Sequence, residues 1–235
     1  MLRSFIDARI DEALALCRRH GYALPPFARW SPQEAVRHPA ALEAMASGGL
    51  GWNVVEFGSG TFARSGLVVF TSRMGPAADL TGGGGRLYAE KILVAQDGQV
   101  TPHHYHVVKT EDIVNRGGAR FVVELVAVDR EGRPTDAPIR VRKDVEMLEV
   151  PPRGRVALEP GESIVLEPFV AHAFWAEGGA VLGGEVSLVN DDATDNYFVP
   201  ALAPMDPVVE DEPARFVTVG DLAALQARAA TLARS

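Results

Sequence analysis

Residues 2–20 place Leu2, Phe5, Ile6, Ile10, Ala13, Leu14 and Cys17 at helical spacing, with Arg and Asp between them. His20-Gly21 ends that segment. A single apolar face of this kind fits a helix packed on the body of the protein better than a free partner-binding helix. Trp30-Ser31-Pro32 marks a second start, with Ser31 as N-cap, Pro32 at the first position and Glu34 at the third. The helix it opens covers 32–46, Pro39 is a point where it can break, and Gly48-Gly49 closes it. From Trp52 onward the pattern changes. The runs Gly66–Ser72, Leu87–Ala95, Arg120–Asp129, Ile139–Val150, Ser163–Glu167 and Val181–Val189 are short and rich in Val, Leu, Ile and Phe. Gly, Pro, Asp and Asn punctuate them, which predicts many short strands in a sandwich or barrel. A terminal helix over 221–234 takes Asp221 as its cap. The expected architecture is therefore all-β dominated and a single domain over 1–235. It has a helical segment over 1–50, a β-barrel over 52–219 and a C-terminal helix over 220–235.

Composition narrows the function classes. Hydrophobic residues make up 47% and charged residues 23% of the 235, enough apolar material for a real core. The formal net charge of −8 argues against a nucleic-acid footprint, which needs clustered Lys and Arg. The single cysteine, Cys17, rules out an intrachain disulfide framework and reads as a small core residue. The N-terminus carries charge throughout, and no stretch reaches 18 uncharged apolar residues, so neither a signal peptide nor a membrane span is expected. The cytoplasm is the expected compartment. Gly82–Gly85 is not followed by Gly-Lys-Ser/Thr and opens no helix pattern, so it reads as a loop rather than a phosphate cradle.

Candidate chemistry concentrates in two segments. Three of the six histidines lie in Pro102-His-His104-Tyr-His106. On a strand His104 and His106 share one face, while His103 and Tyr105 point the other way. If residues 107–110 form a hairpin loop, Glu111 returns opposite His106 on the neighbouring strand. Two imidazoles and a carboxylate suit a catalytic divalent metal. In the second segment, Gly178-Gly179 can form a two-residue hairpin turn, which would set His172 opposite Glu185. His172 would then complete a three-His, one-Glu site with Glu185 beside it. By position Lys109 is a loop charge. Glu185 stands in an otherwise apolar strand, where an unpaired carboxylate is costly and needs a partner or a role.

At these residues the sequence resembles a known pattern. Gly98-x5-His104-x-His106-x4-Glu111-x6-Gly118 fits the first cupin motif, and Pro160-Gly161 through Pro168-x3-His172 resembles the second. In the second, the Pro-to-His spacing is one shorter than usual, and Phe169 or Val170 stands where glycine is common. Glu90-Lys-Ile-Leu, Lys109-Thr-Glu-Asp-Ile-Val-Asn-Arg-Gly-Gly118, Phe174-Trp-Ala-Glu177, Gly184-Glu-Val-Ser187, Val189–Asp192, Asp195-Asn-Tyr-Phe198 and Glu210–Pro213 resemble the D-lyxose isomerase family within the cupins. That resemblance implies a jelly-roll-like cupin barrel and a manganese-dependent aldose–ketose isomerase. Its sugars would be D-lyxose and D-xylulose, and also D-mannose and D-fructose. It implies metal ligands at His104, His106, Glu111 and His172, substrate-facing Lys109 and Glu185, and a homodimer. Glu185 is the candidate base and Lys109 the candidate stabiliser of developing charge. Asp192 and Arg116 are candidates for the distal hydroxyls, though each is also explicable as an ordinary loop or capping residue. Three other readings remain open at the level of sequence. An iron-dependent dioxygenase can use the same ligands. A phosphosugar isomerase would need a basic phosphate clamp, which is not assigned. A non-enzymatic sugar-binding cupin need not keep Lys109 and Glu185.

Overall fold

Two long strands organise the fold. β5 (Glu111–Ala127) and β10 (Val170–Leu188) pair antiparallel along nearly their whole length. The computed structural model describes residues 1–189, 194–232 and 234. Glu111 is the register partner of Ser187, yet its carboxylate lies 2.9 Å from His172. On a straight strand, residues 172 and 187 would be roughly 50 Å apart. The paired strands therefore bend back on themselves, and they do so at glycines. Gly117 and Gly118 in β5, and Gly178 and Gly179 in β10, all have positive φ. A Cβ on Gly118 would sit 2.3 Å from the Ala180 carbonyl oxygen.

The bend carries one strand pair through two facing layers. In the first layer the order is β1 (Gly51–Val55), β2 (Leu67–Met74), β3 (Tyr88–Ala95), the second half of β10, the first half of β5, β9 (Ser163–Leu166), β6 (Ile139–Lys143) and β7 (Glu146–Val150). In the second it is β11 (Tyr197–Phe198), β4 (Val100–Tyr105), the first half of β10, the second half of β5 and β8 (Arg155–Leu158). Leu93, Ile113, Phe121, Leu125, Leu158, Ile164 and Phe174 fill the space between the layers.

Two expected turns are corrected here. Gly178-Gly179 does not close a hairpin. Glu177 pairs with Arg120 and Val181 with Gly118, so residues 178–180 bulge against Ala119 within one continuous strand. The reason is hydrogen-bond capacity. Each half of β10 already has a neighbour on both sides, β4 and β5 before the bend and β3 and β5 after it. The odd-numbered bulge also switches which residues face inward, from His172 and Phe174 before it to Glu185 and Ser187 after it. Nor does Glu111 return beside His106 in a hairpin. β4 pairs with β10 and β11 instead, and Glu111 reaches the histidines from the opposite layer.

The helices cover the outer face of the first layer. α1 (Arg3–Arg19) lays Ile6, Ile10, Leu14 and Cys17 on Trp52, Phe70, Ile92 and Val94, as the apolar face predicts. Burial pushes the Cys17 thiol up to about 11, in keeping with an inert core position. The predicted second helix is two, α2 (Pro32–Ala35) and α3 (Pro39–Gly48), broken before Pro39. Ser31 and Glu34 form the expected capping box, and Gly49 ends α3 in a left-handed conformation. α3 packs on α5 (Leu222–Leu232) through Leu42, Met45, Leu222 and Leu225. The cap before α5 is Thr218 rather than Asp221. One 3-10 turn intervenes, and the Asp221 carboxylate accepts from the Thr218 N–H and hydroxyl. Arg3 is buried and binds both Glu210 and Asp221, tying α1 to the chain's last segment. The run 139–150 is a hairpin of two strands, and β8 was not anticipated. The glycine run 82–85 follows a short helix, α4 (Ala78–Gly82). No helix among the described residues is long and apolar enough to cross a membrane.

Gly118→Ala forces a side chain into φ +103° and against the Ala180 carbonyl. It is expected to cost about 2–3 kcal/mol, which lowers the thermal midpoint by roughly 4–12 °C. A midpoint within a degree of the parent would show that the bend tolerates a side chain.

Candidate metal centre

His104 and His172 are cross-strand partners in β4 and β10. His106 lies one residue beyond the end of β4, and Glu111 opens β5 in the facing layer. One nitrogen or oxygen from each of the four lies within 4.8 Å of all the others, and all four residues are buried. Each histidine offers Nδ1 to a main-chain carbonyl: His104 to Pro102 at 2.9 Å, His172 to Val170 at 3.1 Å, and His106 to Asp195. With Nδ1–H donating, Nε2 carries the lone pair, and the rings are held in the tautomer a metal requires.

The electrostatics agree. Burial, helped by the neighbouring His172, holds His104 well below the usual imidazole range. Burial and Lys109 lower His106. Both are therefore neutral, the form that ligates. Burial alone would raise the Glu111 carboxyl, but Lys109, His172 and His106 outweigh it and hold the group well below the usual range. The fit to a metal can be tested on the unmet demand of these atoms. Nε2 of His106, Nε2 of His172 and both Glu111 oxygens are buried without a hydrogen-bond partner of acceptable geometry. Lys109 and His172 approach Glu111 at 2.5 and 2.9 Å as ion-pair contacts, which leaves its oxygens room to ligate. Each such atom costs about 1–3 kcal/mol if left unsatisfied. One divalent cation would satisfy all of them, and three imidazoles with one carboxylate are a fitting donor set. The cluster could thus hold a metal ion.

Lys109 is not the solvated loop charge its position suggests. It is 3% exposed, with Nζ 2.5 Å from Glu111 and 3.0 Å from Glu185. Burial would lower its pKa, but the two carboxylates outweigh burial and raise it above the ordinary lysine value. Glu185 accepts on Oε1 from Lys109 and from Ser187 Oγ at 3.1 Å, and Lys91 Nζ forms an ion pair with the same oxygen at 3.1 Å. Burial raises Glu185, yet Lys109 and Lys91 bring it below the usual carboxylate range. Lys91 stands within the Glu90-Lys-Ile-Leu motif, from which no site role was expected. Its signal was available: it shares a strand face with Leu93 and Ala95 on an apolar strand, so its charge faces inward. Thr71, Lys91 and Glu185 form one row across β2, β3 and β10.

These groups floor a cavity of about 290 Å³, near the lower end of ordinary ligand sites at roughly 300 Å³. Val55, Phe57, Leu67 and Val69 make one wall. Phe198, Leu202 and Met205, from the segment after β10, make another. A molecule bound here meets charge and imidazole at one end and apolar surface around it.

Two expected residues are not brought in. Arg116 is the bulged residue of β5, lies exposed over Gly184 and does not line the cavity. The bulge turns it to the outer face, away from the cavity where a distal-hydroxyl contact was expected. Asp192 lies outside the described residues. The departure from the second cupin motif has a structural counterpart. Phe169, at the position where glycine is common, has φ +63°. That conformation costs an ordinary residue about 1–2 kcal/mol, and here its N–H donates to the His106 carbonyl at 2.8 Å.

Manganese at a hundred times its Kd should stabilise the metal-stripped protein by about 2.7 kcal/mol. The thermal midpoint would rise by roughly 5–11 °C, and His104→Ala should abolish the rise. An equal rise in that variant would place the metal elsewhere.

The comparisons with known proteins agree with this geometry. The family model for D-lyxose isomerase matches residues 1–222. The chain is 42% identical over 220 residues to the D-lyxose/D-mannose isomerase of Escherichia coli O157:H7, covering 92% of this chain and 96% of that one. It is 41% identical over 222 residues to the D-lyxose/D-mannose isomerase of Serratia proteamaculans, with the same coverage. Among solved structures, Cellulomonas parahominis L-ribose isomerase with L-psicose superposes with a TM-score of 0.56 at 17% identity, over 93% of this chain and 97% of that one. Acinetobacter sp. DL28 L-ribose isomerase in complex with L-ribose gives 0.56 at 18% identity, over 85% and 92%. The structural neighbours have the cupin fold, and this chain shares it as a mostly antiparallel β architecture with helices at its two termini. On the family match over nearly the whole chain and the relatives above 40% identity, the chain belongs to the D-lyxose isomerase family.

Proposed function

We propose that this protein is a metal-dependent aldose–ketose isomerase. It interconverts D-lyxose with D-xylulose, and D-mannose with D-fructose, by proton transfer through a cis-enediol. The observation that carries the reading is Lys109, buried between a carboxylate of the metal cluster and the Glu185 carboxylate at the floor of one cavity. The names of the relatives supply the sugars. Manganese is the proposed ion, held by His104, His106, Glu111 and His172. The proposed working form is a cytoplasmic homodimer, as the family resemblance implies.

A divalent ion in this cluster supplies Lewis acidity toward the sugar oxygens at the reacting end. The chain's own groups do the rest. Glu185 is ionised, with two hydrogen-bond donors and the Lys91 ion pair all on Oε1, so Oε2 is the oxygen free to act on the substrate. It removes the proton from C2 and returns it to C1 on the same face. Lys109 and Lys91 sit where negative charge develops on O1 and O2, and they carry the hydroxyl proton from O2 to O1. Phe57, Leu202 and Met205 exclude water from the far end of the sugar.

Glu185→Gln keeps the shape and the three neighbours but removes the base. Its turnover of D-lyxose should fall about 10²–10⁴-fold, with metal content by elemental analysis unchanged. Normal turnover in that variant would remove Glu185 from its role. No manganese-dependent ketose from D-lyxose or D-mannose with the parent protein would overturn the isomerase reading.

A further inference from the structure

We infer that Asp195 is a positioning residue for the metal centre, setting the orientation of His106 and the location of Lys109 from a distant part of the chain. The inference rests on the reading of the four-residue cluster as a metal site.

The three histidines are not supported in the same way. His104 and His172 each place Nδ1 against the carbonyl two residues back on their own strand, Pro102 and Val170. That support is local and comes with the strand. His106 lies past the end of β4, where the strand no longer supplies it. Its Nδ1 meets the main-chain carbonyl of Asp195, 89 residues further along.

The Asp195 side chain holds the rest of the loop. Oδ1 accepts from the N–H of Val107 at 2.6 Å and of Val108 at 3.2 Å, and Oδ2 accepts from the N–H of Lys109 at 2.9 Å. Three successive N–H groups thus converge on one buried carboxylate. Among the described residues the loop has few other main-chain anchors. Val107 and Val108 are exposed, and those anchors are the His106 carbonyl, bound by the Phe169 N–H, and the Thr110 carbonyl, bound by the Leu188 N–H. Both of those anchors lie at the loop's ends. Between them, the backbone that sets Lys109 against Glu111 and Glu185 is fixed by Asp195. The same segment continues through Asn196 and Phe198 into the cavity wall. One residue therefore joins the wall to a metal-binding histidine and to the lysine between the two carboxylates.

The test compares Asp195→Ala with Asp129→Ala. Asp129 is also a loop-capping carboxylate, accepting from the N–H groups of Glu131 and Arg133, and it does not line the cavity. Metal-stripped proteins are titrated with manganese, the visible spectrum of the cobalt-loaded forms is recorded, and kcat on D-lyxose is measured at saturating manganese. Asp195→Ala is expected to weaken metal binding about 10–100-fold, to alter the cobalt spectrum and to lower kcat. Asp129→Ala should lose stability and leave all three readouts at parent values. Asp195→Ala and Asp195→Asn both keep the main-chain carbonyl that meets His106 and act through the loop the carboxylate holds; Asp195→Asn also keeps one accepting oxygen but sets an amide N–H against the Lys109 N–H. It should bind metal within about threefold of the parent while kcat falls about tenfold, and it carries the test if the alanine variant does not fold. Parent-like metal affinity, spectrum and kcat in either folded Asp195 variant would overturn the inference. A parent protein that takes up no metal would instead overturn the metal-site reading itself.

Discussion

The paired bend of β5 and β10 is the constraint on which the site depends. Four glycines with positive φ let one antiparallel pair supply strands to two facing layers. Without it, Glu111 would lie a full strand length from His172 rather than in contact with it. The bulge at 178–180 adds a second consequence. It changes the inward parity of β10, so His172 on one layer and Glu185 on the other both face the interior. A side chain at Gly118 meets backbone, so the chain there has no cheap way to adapt.

The second constraint is charge. Glu111, Glu185, Lys109 and Lys91 are all buried inside an apolar barrel. Isolated burial of any of them would be prohibitive, so they are arranged as a contiguous alternation of carboxylate and ammonium. That alternation keeps both carboxylates ionised and both lysines close to where a bound molecule would carry negative charge. Unmet hydrogen-bonding capacity remains on two imidazole nitrogens and the Glu111 oxygens, and that cluster could hold a cation. Apolar packing outside the barrel, from α1 and from the α3–α5 pair, stabilises the first layer without entering the site. The Arg3 ion pairs fasten the chain's two ends together behind the same layer.

Much of this was legible in the residues. Helical spacing gave α1 and its buried face, and the Ser31–Glu34 box gave the start of α2. The His104-x-His106-x4-Glu111 spacing and His172 named the cluster that the fold brings together. Lys91 could have been found from strand parity alone. The turns were not legible. A Gly-Gly pair permits a hairpin or a bulged bend equally well, and the choice falls to whichever arrangement satisfies the hydrogen bonds on both strand edges. The outward placement of Arg116 was not legible for the same reason, because it follows from a bulge in β5.

The sequence by itself determined the chemistry available: which donors, which charges, and which stretches alternate. Those are properties of residue type and near-neighbour spacing. Only the tertiary structure decided what faces what. His172 and Glu111 meet across the barrel through a bend, Lys109 is buried by partners far along the chain, and His106 is held by Asp195. Such contacts join residues many positions apart, and their energies depend on strand register and curvature. Neither quantity is written in any local run of residues, because both are settled only when every strand has found its neighbours.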